Sequence, residues 1–135
     1  QRRTLAALLL DQGFVAGIGN YLRSEILYAA RVSPFDRPRD LSRGQLGRLA
    51  RATLELTRLS LATAGITNKP ARVARARRAG LSRRHYRFAI FDRQNEPCFT
   101  CHDPIERVEV SGRRIYLCRN CQPAARSNSQ REGVS

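Results

Sequence analysis

The sequence predicts a mostly α-helical domain followed by a small β-hairpin whose four cysteines bind zinc. Three observations support this fold class. Apolar residues recur at helical spacing in the first half of the chain, a glycine-rich bend interrupts them near the start, and all four cysteines lie within residues 98–121. A chain of 135 residues is long enough for one ordinary domain or a small domain plus a metal-held module.

The cysteines form two pairs, Cys98-x2-Cys101 and Cys118-x2-Cys121, separated by sixteen residues. This is the spacing of a four-thiolate zinc site. Two disulfides or a redox pair are the alternatives, but disulfides suit small secreted scaffolds, and the 97 residues before Cys98 contain no cysteine. Four thiolates leave no open coordination position, so we expect one structural Zn²⁺ and a surface position for the neighbouring His102.

The segment between the two cysteine pairs alternates apolar and polar residues. Val108 and Val110 precede Ser111-Gly112, and Ile115 and Leu117 follow it. This pattern predicts a β-hairpin with Ser-Gly at the turn, which would bring the two cysteine pairs together.

The first part of the chain predicts two short helices. Residues 4–12 form an apolar run with Thr4 as a candidate N-cap. Three glycines within residues 13–19 interrupt the pattern, since each interior glycine costs a helix about 1 kcal/mol relative to alanine. Helical spacing resumes at Asn20, so the two helices are expected to meet at a double bend.

A long helix is predicted to follow. Ser42 and Gln45 form a capping box at its start, and Gly65 is a suitable stop. The face expected to pack on the core consists of Leu46, Leu49, Ala50, Thr53, Leu54, Thr57 and Leu61.

Residues 69–87 carry eight Lys or Arg residues and no acidic residue. Dense like charge predicts a mobile, solvated loop here, followed by a strand at 86–91. The polar residues 123–135 are expected to be disordered. The predicted divisions are a helical DNA-binding domain at 1–68, a basic loop and connecting strand at 69–91, a zinc finger at 92–122 and a tail at 123–135.

The net charge of +14 indicates a polyanionic partner and favours nucleic acid. The charge is densest over residues 61–97, which hold nine basic and two acidic side chains. The sequence has neither a transmembrane run nor a signal peptide pattern, so we expect a bacterial, cytoplasmic, nucleoid-associated protein. The absence of methionine suggests that Gln1 is not a natural start and that the chain is a piece of a longer protein.

The inventory of reactive side chains favours binding over catalysis. His85 and His102 lie near no candidate nucleophile, and the acids are scattered; Glu25 is expected to satisfy a helix end or to pair with an arginine. Free N–H groups at 17–20, where the second helix starts, suit a phosphate oxygen, although Asn20 is also explained as an N-cap alone.

Arginines follow the predicted hairpin turn directly. Arg113 and Arg114 are placed to reach a second phosphate, and the alternative is a solvated surface pair.

Three segments together resemble the C-terminal half of the formamidopyrimidine-DNA glycosylase/endonuclease VIII family, and the endonuclease VIII branch is the closer match. They are LLLDQGFVAGIGNYLRSEIL (8–27), EPCFTC (96–101) and GRRIYLCRNCQ (112–122). The resemblance covers residues 1–122 and implies a helix-two-turn-helix domain followed by a zinc finger. The glycine-rich residues 13–19 would supply the two turns.

The resemblance also implies roles for individual residues. Asn20, with Gly19 beside it, would contact the phosphate flanking the lesion. Arg113 would grip phosphates at the damaged nucleotide and donate a proton in δ-elimination. Arg3 would make a further DNA contact, whereas Arg114 occupies the position after Arg113, where the family pattern is looser, and the role is carried over to Arg113 only.

The sequence departs from the family in lacking its nucleophile, an N-terminal proline followed by glutamate, and the lysine that assists elimination. We therefore expect the damaged-DNA-binding portion of a bifunctional DNA glycosylase/AP lyase of base excision repair, inactive alone. The parent enzyme would remove oxidised bases, above all pyrimidines, and nick the abasic site. Its partners would be double-stranded DNA with oxidised bases or abasic sites and its own N-terminal catalytic domain, and we expect a monomer. The alternatives are a stand-alone, non-catalytic, zinc-containing DNA-binding protein and a zinc-ribbon module that binds protein.

Overall fold

The structure, a computed structural model, describes Thr4 and residues 19–110 and 112–125. It is mostly helical with one small antiparallel hairpin and a four-cysteine cluster, as the sequence predicted. Its elements are α1 (Gly19–Ala30), a 3₁₀ turn (Pro38–Asp40), α2 (Arg43–Thr63), α3 (Pro70–Arg78), α4 (Arg83–Tyr86), β1 (Glu106–Val110) and β2 (Arg113–Leu117).

Some sequence predictions fall outside the described residues. These are the helix at 4–12 (apart from Thr4), the bend at 13–18, Arg3, and the tail after residue 125. The two turns between the first helices therefore stay a prediction.

Helix α1 is the buried centre of the fold. Leu22, Ile26 and Leu27 are fully buried, because α2 packs on one side of the helix and β2 on the other. The polar side chains of Arg23, Ser24 and Glu25 are buried as well, so neighbouring elements cover the helix on several sides. Helix α1 therefore joins the helical domain to the hairpin.

Helix α2 begins and ends as predicted. The N–H of Gln45 donates to the Ser42 hydroxyl over 3.2 Å, and the N–H of Ser42 donates to the Gln45 amide oxygen over 2.8 Å. At the other end Ala64 and Gly65 both have positive φ, at 57° and 96°. The φ of Gly65 favours glycine, and a Cβ there would lie 2.7 Å from the Nη2 atom of Arg87 and would displace that guanidinium.

The predicted core face of α2 was right at Leu49 and wrong at its other leucines. The helix packs through Leu49, Ala52 and Leu56, and buried Ser60 has its hydroxyl 2.6 Å from that of Tyr21. Three leucines of the expected face are instead exposed: Leu46, Leu54 and Leu61, by 42, 52 and 66%. Helix α2 has two apolar stripes, and periodicity alone does not identify the one that meets α1.

The predicted loop at 69–87 and strand at 86–91 were also wrong. Alanine and arginine are strong helix formers, and Pro70 at the first helical position fits the start of α3; Gly80, with φ of 77°, separates α3 from α4. Residues 86–91 form no strand, because the N–H groups of residues 89–91 bind the Glu25 carboxylate instead of a neighbouring strand.

The hairpin matches its prediction. Val110 pairs with Arg113 and Val108 with Ile115, which leaves a two-residue connection containing Gly112 with φ of 75°. Ile115, Tyr116 and Leu117 are buried. None of the helices that the structure describes is long and apolar enough to cross a lipid bilayer.

Candidate metal centre and nucleic-acid interface

The four cysteine sulfurs form one compact cluster in which all Sγ atoms lie within 4.8 Å of one another. The Sγ atoms of Cys98 and Cys121 are 3.7 Å apart, and those of Cys101 and Cys118 are 3.4 Å apart. Tetrahedral zinc bonds of about 2.3 Å place sulfurs about 3.8 Å apart, whereas a disulfide needs about 2.05 Å. All four thiols are free, so the disulfide alternative is wrong and the donor set fits one tetrahedral metal ion.

Tight turns hold each cysteine pair in place. In the first pair the N–H of His102 donates to the Cys98 carbonyl over 2.9 Å, and His102 is exposed as predicted. In the second pair the Gln122 amide oxygen accepts the N–H of Cys118 over 2.8 Å, and the Gln122 amide nitrogen donates to the Val32 carbonyl over 3.1 Å. Gln122 thus ties the second turn to the residues that follow α1. This role of Gln122 carries no local signal in the sequence and could not be predicted from it.

Cys98 also receives a side-chain contact from α1. The Tyr28 hydroxyl lies 3.1 Å from the Cys98 sulfur, and the N–H of Thr100 donates to the same sulfur over 3.4 Å. Burial raises the pKa of the Cys98 thiol, but hydrogen bonds from Tyr28 and from the backbone of Cys101 and Thr100 lower it overall, to about 6. Burial, followed by the hydrogen bond to Cys98, raises the pKa of Tyr28 to about 12.

The two thiols after the hairpin shift in the opposite direction. Burial raises the pKa of Cys118 to about 11 and also raises the pKa of Cys121. In the metal-free cluster Cys98 therefore ionises before Cys118 and Cys121.

The hairpin tip lies close to the first turns of α1. Burial, followed by the charge of Arg113, lowers the pKa of Arg23, so the two guanidinium groups lie within electrostatic reach of each other. The N–H of Tyr116 donates to the Ser24 hydroxyl over 3.0 Å and fixes β2 against the same part of the helix. Arg113 itself is exposed.

Of the predicted phosphate contacts, Gly19 and Asn20 form the first residues of α1, about one helical turn before Arg23. Arg113 thus lies near Arg23, which belongs to the N-terminal half of the same helix. Arg3 lies outside the described residues.

An aromatic layer extends from α1 to β2. The ring of Tyr21 contacts that of Phe88 at 5.0 Å between centroids, Phe88 contacts Phe91 at 5.1 Å, and Phe91 contacts Tyr116 at 4.9 Å. Beside this layer is an open cleft of about 610 Å³. It is lined by Arg83, Arg84, His85, Arg87, Phe88, Phe91, Asp92, Arg93 and Glu96.

Two groups of arginines in the α3–α4 segment differ in their contacts. Arg83 and Arg87 donate to the carbonyls of Ala64 and Gly65, over 2.5 and 2.8 Å, and so stabilise the C-terminal end of α2. Other arginines of the segment are exposed and contact no acidic side chain among the described residues: Arg75, Arg78 and Arg84. The second group is available to a polyanion.

Residues 1–71 match the family model of the formamidopyrimidine-DNA glycosylase H2TH domain. The Endonuclease 8 of Escherichia coli (strain UMN026 / ExPEC) is 42% identical over 125 residues, which cover 90% of this chain and 43% of that protein. The Endonuclease 8 of Pectobacterium atrosepticum is 40% identical over the same shares of the two chains. The chain thus spans less than half the length of these curated relatives.

Solved structures show the same similarity. The crystal structure of the MutM (Fpg) protein from Thermus thermophilus superimposes with a TM-score of 0.70 at 35% identity, over 90% of this chain and 46% of that one. The Lactococcus lactis Fpg in complex with DNA containing an abasic site shares the fold, with a TM-score of 0.69 at 22% identity, over 89% of this chain and 42% of that one.

Proposed function

We propose that this chain, which belongs to the formamidopyrimidine-DNA glycosylase family, is the damaged-DNA-binding portion of a bifunctional DNA glycosylase/AP lyase of base excision repair. The observation that carries the proposal is the convergence of the exposed Arg113, the cationic Arg23 and the N-terminal end of α1. Like charges held together repel each other, and a bound phosphate would relieve this repulsion. The N-terminal end of a helix adds free N–H groups and a positive dipole to the same place.

The roles proposed for individual residues come from the family resemblance, and the position of Arg113 near Arg23 supports the phosphate-binding role. Asn20 and the N–H groups beside Gly19 would hold the phosphate flanking the lesion. Arg113 would bind phosphates at the damaged nucleotide and protonate the departing phosphate in δ-elimination. Arg3 would make a further phosphate contact. The substrate class we propose is DNA with oxidised bases, above all pyrimidines, because the sequence resembles the endonuclease VIII branch more closely.

The cysteine cluster would hold one Zn²⁺ through Cys98, Cys101, Cys118 and Cys121, and metal analysis should find one zinc per chain. The ion would supply structure rather than reactivity, because four thiolates leave no position for water or substrate. Cys118 follows β2 directly, so fixing the second pair fixes the strand that begins with Arg113.

The replacement Arg113→Ala tests the DNA-binding role. It should weaken binding to a duplex with an abasic-site analogue by about 1–3 kcal/mol, or about 5- to 150-fold in Kd, because a charge-assisted contact is lost. Fluorescence anisotropy of a labelled duplex measures the change. Arg107→Ala is the matched control, since Arg107 is exposed on the other strand of the same hairpin. Equal affinities of the two variants for the abasic duplex would contradict the role of Arg113.

Borohydride trapping tests the assignment of the chemistry. The family nucleophile is a proline amine that forms a Schiff base with the sugar, and its counterpart is absent from these 135 residues. We therefore expect no covalent adduct between this chain and abasic DNA, under conditions in which a full-length relative is trapped. An adduct on this chain would show that a different amine carries the reaction.

A further inference from the structure

Tyr28 links helix α1 to the cysteine cluster. It lies in the third turn of α1, is 8% exposed, and its ring packs in a core cluster with Ile90, Ile105 and Cys98. This packing leaves the ring little freedom. The position of its hydroxyl is therefore set by the packing of the core and not by free rotation of the side chain.

The hydroxyl has two polar neighbours among the described residues. One is the Cys98 sulfur at 3.1 Å, and the other is the Thr100 hydroxyl at 3.4 Å. A metal-bound cysteine is a thiolate, which only accepts hydrogen bonds, so the proton of Tyr28 must point toward the sulfur. The Thr100 hydroxyl can then donate to the oxygen of Tyr28.

Cys98 differs from the other three cysteines in this contact. Within the part of the chain that the structure describes, the sulfurs of Cys101, Cys118 and Cys121 have no side-chain hydroxyl within hydrogen-bonding distance. Cys98 accepts from both the Tyr28 hydroxyl and the Thr100 N–H and is fully buried. Among the four cysteines, Cys98 is therefore the one whose sulfur is oriented, and whose thiolate form is stabilised, by a side chain of the helical domain.

We propose that Tyr28 is a positioning residue for the metal centre: its hydroxyl donates a hydrogen bond to the metal-bound thiolate of Cys98, orients that ligand and slows the release of zinc. The inference rests on the proposed zinc occupancy of the cluster. A donor outside the ligand shell typically changes metal affinity 10- to 100-fold when it is removed. Because Tyr28 belongs to the helix that begins at Gly19 and Asn20, the same bond ties metal retention to the helix proposed to hold the flanking phosphate.

Tyr28→Phe removes the hydroxyl and keeps the ring, and Tyr116→Phe is the matched control. Tyr116 is also buried and belongs to the same core cluster, but its hydroxyl lies 3.5 Å from an Asp92 carboxylate oxygen and not at a sulfur. The zinc content of both proteins is first measured by metal analysis, and release of zinc to a chromogenic chelator is then followed in time. Circular dichroism of the zinc-loaded proteins confirms that each is folded.

We expect Tyr28→Phe to bind zinc roughly 10- to 100-fold more weakly and to release it correspondingly faster, whereas Tyr116→Phe stays within about 2-fold of the wild type. Equal release rates for the wild type and Tyr28→Phe would overturn the proposal, and so would an equal acceleration in both variants. A wild-type chain that contains no zinc would instead refute the metal part of the proposed function. The two failures are therefore distinguishable.

Discussion

Glu25→Gln should lower the free energy of unfolding by about 3–6 kcal/mol. The buried carboxylate accepts four hydrogen bonds: Oε1 from the Thr67 hydroxyl at 2.5 Å and the Ala89 N–H at 2.9 Å, and Oε2 from the N–H groups of Ile90 at 2.7 Å and Phe91 at 2.9 Å. Glutamine keeps only one acceptor oxygen, so it loses two of the four bonds in either amide orientation. Hydrogen bonds to a charged group contribute about 1.5–3 kcal/mol each.

The expected loss is a large share of the stability of a typical domain, about 5–15 kcal/mol. With its nitrogen at the Oε2 position the new amide would face the N–H groups of Ile90 and Phe91, and with its nitrogen at the Oε1 position it would face that of Ala89, so at least one backbone donor loses its acceptor in either orientation. Urea unfolding of the zinc-loaded protein, followed by circular dichroism, measures the change. Glu55→Gln is the control, because Glu55 is exposed on α2 and should change stability by less than about 0.5 kcal/mol.

A Glu25→Gln protein within 1 kcal/mol of the wild type would refute this reasoning. Such a result would mean that residues 89–91 find other acceptors, and that the carboxylate does not hold the connection between α4 and the first cysteine pair. A variant that no longer unfolds cooperatively agrees with the prediction, because it has lost more than the marginal stability of the domain.

Two further predictions concern metal and DNA. The association constant for zinc should increase at least about 100-fold per pH unit near neutrality. Burial raises the pKa values of Cys118 and Cys121, so both thiols must lose a proton to bind the metal. A pH series of competition titrations measures this dependence. Replacing Arg75, Arg78 and Arg84 by alanine should reduce the slope of log K for DNA binding against log salt concentration by up to about 2.7. The reduction should be equal for damaged and undamaged duplexes. Replacing three exposed arginines of α2 instead should have little effect; these are Arg43, Arg51 and Arg58. Equal slopes for the two triple variants would show that α3 and α4 do not touch the duplex.

The features that the sequence predicted well are governed by short-range rules. The spacing of Cys98 to Cys121 with a hairpin between them determines the cluster, because the turn and the alternation of Val108 to Leu117 act within a few residues. The capping box at Ser42 is equally local. Each of these structures needs no information from a distant part of the chain.

The features that the sequence could not predict depend on distant partners. Residues 86–91 have the composition of a strand, but the carboxylate of Glu25, more than 60 residues earlier, takes their N–H groups. Helix α2 carries two apolar stripes, and only the position of α1 decides which of them is covered. Residues 70–78 show a competition within one segment, because the helix propensity of alanine and arginine there outweighs the repulsion of like charges.

Helix α1 connects all of these long-range contacts. Tyr21 meets α2, Ser24 holds β2, Glu25 binds residues 89–91, and Tyr28 reaches the Cys98 sulfur. These four side chains are spaced i, i+3, i+4 and i+7, so they lie along one face of the helix, and a rotation or shift of α1 would break several contacts at once. A helix held by four contacts along its length presents its N-terminal end in one orientation. That rigidity suits a proposed phosphate contact at Asn20, because a preorganised donor loses little conformational entropy when DNA binds.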